Sequence, residues 1–174
     1  MTNIKLTTLG GVRENGKNMY IAEINDSIFV LDAGLKYPEN EQLGVDVVIP
    51  NMEYLFENSD RIAGVFLTHG HADAIGALPY LLSEVKVPVF GSELTIELAK
   101  LFVKGNDSAK KFDDFHVIDE NTEIDFGGTE VSSSRPLPLT QEVHVVFLKP
   151  PEEGIFITGD SNFAKRLADP ILLT

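Results

Sequence analysis

An uninterrupted apolar run at residues 63–68 leads directly into His69, His71 and Asp73, which follow at alternate positions. A run of this length without polar interruption is typical of a strand buried on both faces. In α/β proteins, ligands collect beyond the C-terminal ends of such strands. The run therefore predicts a covered sheet, with the two histidines and the aspartate at the edge where ligands bind.

These three side chains form a candidate metal site. Imidazole and carboxylate groups together suit a borderline cation such as zinc or manganese. The chain has four histidines, and two of them lie in this one tripeptide, which favours a metal site over histidines with a purely structural role.

Asp32 and Asp160 occur in similar positions, each directly after a short apolar run. Taken singly, either carboxylate fits a turn or a helix cap equally well. Three such strand ends, one of them carrying histidines, are better explained by a shared metal pocket formed by Asp32, His69, His71, Asp73 and Asp160.

The remaining pattern predicts an α/β protein with layered, mixed sheets and flanking helices. Residues 35–50 form a long loop that is a candidate binding loop. We expect a helix at 51–58 capped by Asn51, one at 72–85 whose first turns bend or break at Pro79, and one up to Val103 capped by Ser92, with Leu94, Leu98 and Leu101 at helical intervals. The predicted strands are 4–9, 19–24, 27–31, 63–68, 87–90, 115–118, 122–126, 129–132, 143–148 and 155–158; the serine- and proline-rich stretch from Ser132 is poor strand material.

Composition excludes several classes of protein. The chain has no cysteine, so disulfide frameworks, thiolate metal sites and cysteine nucleophiles are ruled out. A net charge of −13 argues against binding nucleic acid through a general basic surface. No apolar run approaches the ~18 residues of a membrane span, and the start lacks a signal-peptide core, so we expect a cytoplasmic protein without a membrane partner.

Several stretches together resemble the metallo-β-lactamase superfamily and, within it, the ribonuclease J family of β-CASP nucleases. The resemblance is dense over residues 7–131, thins over 132–174, and returns at 156–160. The segments that carry it are 9–18 (LGGVRENGKN), 32–50 (DAGLKYPENEQLGVDVVIP), 66–82 (FLTHGHADAIGALPYLL), 87–95 (VPVFGSELT) and 156–160 (FITGD).

The resemblance implies an αββα sandwich with two zinc ions between its sheets, which activate a water for attack on an RNA phosphodiester. It implies His69 and His71 as ligands of the first zinc, Asp73 as a ligand of the second and Asp160 as a bridge between them. Asp32 would be the supporting acid that orients the histidines. One or two ions are expected, with manganese as an alternative to zinc.

Two positions depart from the family pattern. Active members have a histidine directly after the motif aspartate, where this chain has Ala74. They have another upstream of the bridging aspartate, where an ungapped alignment places Pro138; His144 is the nearest histidine and lies in a predicted strand. These departures resemble the poorly active second paralogue of the family in Firmicutes, and they predict weak or absent intrinsic catalysis.

The family resemblance covers residues 1–174 as the N-terminal part of a metallo-β-lactamase domain, without its β-CASP and C-terminal domains. Three functions follow as alternatives: a metal-dependent ribonuclease, a non-catalytic partner of an active ribonuclease J, and a small-molecule metallo-hydrolase. RNA and a second copy or a ribonuclease J paralogue are the expected partners. Apolar surface left uncovered by an incomplete sandwich predicts self-association or marginal stability.

Overall fold

A computed structural model describes residues 2–38, 43–134, 145–151 and 154–158 of the chain. Its strands form two sheets. The first sheet follows chain order: β1 (Ile4–Gly10), β2 (Met19–Ile24), β3 (Ser27–Leu31), β4 (Ile62–Phe66), β5 (Val89–Gly91) and β6 (Phe115–Val117). The pairs from β1 to β3 are antiparallel and those from β3 to β6 are parallel, which confirms the predicted mixed sheet.

The second sheet is antiparallel throughout. Its order is β10 (Ile155–Thr158), β9 (Val145–Lys149), β8 (Glu130–Ser134) and β7 (Glu123–Asp125). Strand β8 continues to Ser134, two residues beyond the predicted end, because all five of its residues pair with β9. Pairing with a neighbouring strand overrides the low strand propensity of serine.

Alternating side chains of the first sheet are buried on opposite faces. Ile28 and Val30 of β3 join an apolar cluster that includes residues of the helices, whereas Phe29 and Leu31 join a second cluster with Val131 and other residues of the second sheet. The helices α1 (Glu53–Glu57), α3 (Leu78–Glu84) and α4 (Glu93–Lys104) supply the first cluster. The described residues thus form helix, sheet and sheet layers, and the layered α/β architecture is confirmed.

Four phenylalanines fill the centre of the space between the sheets. Phe66 and Phe90 stack with ring centroids 4.9 Å apart. Phe126 meets Phe29, Phe66 and Phe90 edge-on at 5.7, 5.8 and 5.7 Å. Phe29, Phe66 and Phe90 are buried, and each contributes about 1.5–3 kcal/mol to stability through the area it removes from water. Phe126 is partly buried and packs against them, so the four rings hold the second sheet against the first.

The predicted helix 72–85 is two helices, α2 (Ala72–Ile75) and α3. Pro79 lies in the first turn of α3, where its missing N–H leaves no helical hydrogen bond unmade. The break comes earlier, at Ala77, whose N–H donates to Ala33 O at 2.7 Å. A contact with a distant loop therefore divides the helix. The predicted break is confirmed, but it lies before Pro79 and the proline does not cause it.

Helix α4 begins at its predicted cap, since Ser92 accepts a hydrogen bond from the backbone of Thr95 at 3.2 Å. Its buried side is made by Thr95, Ile96, Ala99 and Val103, while Leu94 and Leu101 are exposed. The leucine spacing is thus helical but does not mark the core-facing side. No helix among the described residues is both long enough and apolar enough to cross a membrane.

Candidate metal centre

The site lies where two adjacent parallel strands end. Asp32 follows β3, and the segment from Leu67 to His71 follows β4. The N–H of Asp32 donates to Phe66 O at 3.0 Å, which continues the parallel pairing one residue beyond β3. The carboxyl ends of neighbouring parallel strands share one sheet edge, so the fold brings these residues together.

Asp32 and His69 are linked through Thr68. The Thr68 hydroxyl lies 2.8 Å from Asp32 Oδ2 and 2.9 Å from His69 Nδ1, and the Thr68 N–H donates to Asp32 Oδ1 at 2.8 Å. When Asp32 carries its charge, it accepts a hydrogen bond from the Thr68 O–H. The hydroxyl then has no proton left to donate to His69, so the Thr68 oxygen accepts a hydrogen bond from His69 Nδ1–H. That tautomer leaves the lone pair of His69 on Nε2, as a metal ligand requires.

Asp32 is held in an unusual environment for a carboxylate. Its side chain is buried and its backbone φ is +59°. Within the part of the chain that the structure describes, it accepts hydrogen bonds from the N–H and the hydroxyl of Thr68. Burial raises the pKa of Asp32 to about 7; the Thr68 hydrogen bonds partly oppose this rise, and the negative charge of Asp73 adds to it. Asp32 is thus a structural partner within the site, where removal from water makes its charge costly.

His69, His71 and Asp73 each offer a ligand atom, and these atoms lie within 4.8 Å of one another. His69 is buried, Asp73 is partly buried and His71 is exposed. His69 Nε2 is 3.6 Å from Asp73 Oδ1. Two ligands at tetrahedral positions around a zinc ion are about 3.4 Å apart, so this pair already has the spacing of a shared metal. The donor set and its geometry fit a divalent cation.

A set of backbone hydrogen bonds joins the Asp32 loop to the start of the following helices. The N–H groups of Ala33 and Leu35 donate to Ala74 O and Ala72 O at 2.7 and 2.9 Å. The N–H of Lys17 donates in turn to Leu35 O at 3.1 Å. These bonds hold the backbone on either side of Asp73, so the Cα atom that carries the Asp73 carboxylate has a fixed position.

Ala74 occupies the position at which the resemblance implies a further histidine ligand. It is fully buried and belongs to the apolar cluster under the helices. The protein interior is close-packed, so a larger ring at this position would need its neighbours to move. The other implied ligand positions, Asp160 and Pro138, and the alternative His144 all lie outside the described residues.

Sequence reasoning brought Asp32, His69, His71 and Asp73 to one place but assigned no role to Thr68 or Asn18. Thr68 immediately precedes His69, and its polarity at the end of an apolar run was an available signal. Asn18, which donates to Asp73 Oδ2 at 3.0 Å, lies 55 positions away along the chain, and only the tertiary fold connects the two.

The comparisons with known proteins agree with this geometry. A family model described as Metallo-beta-lactamase superfamily matches residues 12–172. Ribonuclease J 2 of Streptococcus pyogenes is 62% identical over 163 residues, which cover 94% of this chain and 30% of the relative. Ribonuclease J2 of Bacillus subtilis is 44% identical over 161 residues, covering 92% and 29%. The chain therefore spans about three-tenths of the length of these relatives.

Two solved structures share the fold. The metallo-beta-lactamase fold protein YhfI of Bacillus subtilis matches with a TM-score of 0.60 and 14% identity, over 91% of this chain and 62% of that protein. The short form of human tRNase Z matches with a TM-score of 0.55 and 16% identity, over 90% and 69%. At these identities the likeness concerns the arrangement of sheets and helices alone.

Proposed function

Because this chain belongs to the metallo-beta-lactamase superfamily, we propose that it is the metal-binding N-terminal part of a ribonuclease J-type protein that takes part in RNA degradation. The observation that carries the proposal is the cluster of His69, His71 and Asp73, whose ligand atoms lie within 4.8 Å of one another at a parallel strand end. It occurs in a chain 62% identical to a ribonuclease J 2 over 94% of its length.

A bound zinc or manganese ion would supply a Lewis acid and an activated water for phosphodiester hydrolysis. His69, His71 and Asp73 would hold the ion. Asp73 would bind it through Oδ1, which lies 3.6 Å from His69 Nε2. Asp160, for which the resemblance implies a bridging role and which lies outside the described residues, would be a further carboxylate ligand. Asp32 would act through Thr68: it accepts the hydrogen bond of the Thr68 hydroxyl, and this keeps the lone pair of His69 on Nε2.

We propose further that intrinsic cleavage is weak or absent. A buried alanine offers no nitrogen ligand where the resemblance implies one, and Ala74 is enclosed by apolar neighbours. A second ion would therefore lack one nitrogen ligand. Water could not take its place, because residue 74 lies in a packed interior. This favours one ion held by His69, His71 and a carboxylate over a fully coordinated pair.

The second candidate is a non-catalytic subunit that pairs with an active ribonuclease J paralogue. The same buried Ala74 favours it, and the net charge of −13 adds a reason, since the chain has no general excess of cations to attract RNA by itself. RNA would then be held mainly by the rest of the assembly. A cytoplasmic location follows from a role in RNA degradation.

Metal content and RNA cleavage test the proposal together. The purified chain is dialysed against metal-free buffer, its zinc and manganese are measured, and it is incubated with single-stranded RNA alone or with an active ribonuclease J. We expect at most one ion per chain, little cleavage alone and altered cleavage by the mixture. The variant His71→Ala, which removes an exposed ligand and should stay folded, is the control for metal-dependent effects.

Two ions per chain, with strong cleavage that the control variant lacks, would overturn the weak-activity proposal in favour of an independent nuclease. A chain that binds no zinc or manganese at millimolar concentration and leaves the paralogue's cleavage unchanged would overturn both candidates.

A further inference from the structure

Asn18 joins the two segments that carry the acidic side chains of the site. Its N–H donates to Asp73 O at 3.0 Å, and its carbonyl accepts from Gly34 N at 2.9 Å. Its side-chain amide Nδ2 donates to Asp73 Oδ2 at 3.0 Å. The residue directly before β2 thus holds Asp73 by both its backbone and its carboxylate, and also holds the loop that follows Asp32.

The two carboxylate oxygens of Asp73 have different surroundings. Oδ2 accepts a hydrogen bond from the Asn18 side-chain amide, whereas Oδ1 lies 3.6 Å from His69 Nε2. A partly buried carboxylate in the first turn of the short helix α2 would otherwise turn about its χ angles. The Asn18 donor selects the orientation in which Oδ1 faces the histidine.

The local sequence leaves room for this amide. A Cβ on Gly11 would lie 2.7 Å from Asn18 Oδ1, and the φ of Gly11 is +82°, a conformation that L side chains rarely adopt. Glycine at this position therefore allows the Asn18 side chain to lie against the loop with its Nδ2 directed at Asp73.

We propose that Asn18 is a positioning residue for metal binding: it orients Asp73 so that Oδ1 and His69 Nε2 present a preformed pair of ligand atoms to a divalent cation. The inference deepens the proposed function, because it rests on the same cluster binding metal. Its readout is metal affinity, and catalysis by the loaded protein is not needed.

The test compares Asn18→Ala with Asn58→Ala. Asn58 is a matched control, because its Nδ2 also makes a part-buried hydrogen bond, to Tyr54 O at 2.8 Å, outside the site. Affinities for zinc and manganese are measured by competition with a chromophoric chelator. We expect Asn18→Ala to lose about 10–100-fold in affinity, as is typical when a hydrogen-bond partner of a metal ligand is removed, and Asn58→Ala to stay within about twofold of the unchanged chain.

A double-mutant cycle separates orientation of Asp73 from a general structural role. In an Asp73→Ala background, Asn18→Ala should have no further effect on affinity, because the carboxylate that it orients is gone. Thermal unfolding in chelator shows whether each variant is folded. Where Asn18→Ala does not fold, Asn18→Ser replaces it; its hydroxyl stops short of the Asp73 carboxylate, and we expect the same loss.

A folded Asn18 variant that binds metal as tightly as the unchanged chain would overturn this inference and leave the proposed metal site standing. A loss that persists undiminished in the Asp73→Ala background would also overturn it. An unchanged chain that binds neither zinc nor manganese overturns the metal site itself, and the inference with it.

Discussion

Gly34 and Asp73 are in backbone contact that leaves no room for a side chain: a Cβ on Gly34 would lie 1.5 Å from the carbonyl oxygen of Asp73. The hydrogen bonds from Ala33 to Ala74 and from Leu35 to Ala72 lie on either side of this contact. The loop after β3 and the start of α2 therefore approach closely only because residue 34 is glycine, and the position of the Asp73 carboxylate depends on that approach.

Gly34→Ala is expected to destabilise the protein by about 3 kcal/mol or more, because the added methyl must displace the Asp73 backbone. Urea unfolding of the metal-free protein measures the change. Gly105→Ala is the matched control: its Cβ would meet only atoms at 3.5 Å, at a φ of −73°. It should leave stability within about 1 kcal/mol of the parent or raise it slightly. Equal effects of the two substitutions would contradict the close contact.

Asp32 should make the stability of the metal-free protein fall as pH rises. Its pKa is raised from an ordinary 3.8 to about 7 in the folded state, mainly by burial. The folded protein therefore holds a proton that the unfolded chain has released. The stabilisation from this proton is fully present below about pH 4 and is lost as pH rises to about 7.

The measurement compares unfolding free energies of Asp32→Asn and the unchanged chain between pH 5 and 8 in the presence of chelator. The unchanged chain should lose up to about 1.4 kcal/mol per pH unit relative to the variant below pH 7, and nothing further above it. Other carboxylates titrate in both proteins, so their contributions cancel in the difference between the two unfolding free energies. Parallel pH profiles would show that Asp32 does not titrate in this range.

His69 and His71 should differ in their effect on stability but not in their effect on metal binding. His69 is buried and bonded to Thr68, so His69→Ala should destabilise the metal-free protein by about 2–4 kcal/mol. His71 is exposed, and His71→Ala should change stability by about 0.5 kcal/mol or less. Each substitution should weaken zinc binding by more than about 100-fold, because removing a residue that only supports a metal ligand typically costs about 10–100-fold in affinity. Unimpaired zinc binding by His71→Ala would remove His71 from the site.

Ala74→His should not simply restore a ligand. Ala74 is fully buried in the apolar cluster under the helices, so the imidazole should cost about 1–3 kcal/mol by overpacking in the metal-free protein. Thermal unfolding in chelator measures this cost, and Glu84→His, on the exposed side of α3, controls for the ring itself. Full stability of Ala74→His without metal would mean that space for the ligand is already present.

Two local patterns of the sequence left part of the outcome open, and in both a tertiary contact decided it. Leu94, Leu98 and Leu101 have helical spacing, yet α4 buries Thr95 and Ile96, because the sheet lies against that side of the helix. Pro79 suggested a bend or a break, yet the helix divides at Ala77, whose N–H donates to Ala33 in the loop after β3. Periodicity and proline both report on a single segment and cannot show what lies next to it.

The residues themselves determined the strand that precedes His69, the mixed α/β layers and the group of donors His69, His71 and Asp73, because apolar runs and ligand chemistry are local properties. The tertiary structure decided how those donors are held. The Asp32–Thr68–His69 connection, the Asn18–Asp73 hydrogen bond and the enclosure of Ala74 each join segments far apart in the chain. Hydrogen bonds and close packing depend on separations of a few ångströms, and only the folded arrangement of the sheet and its loops sets those separations.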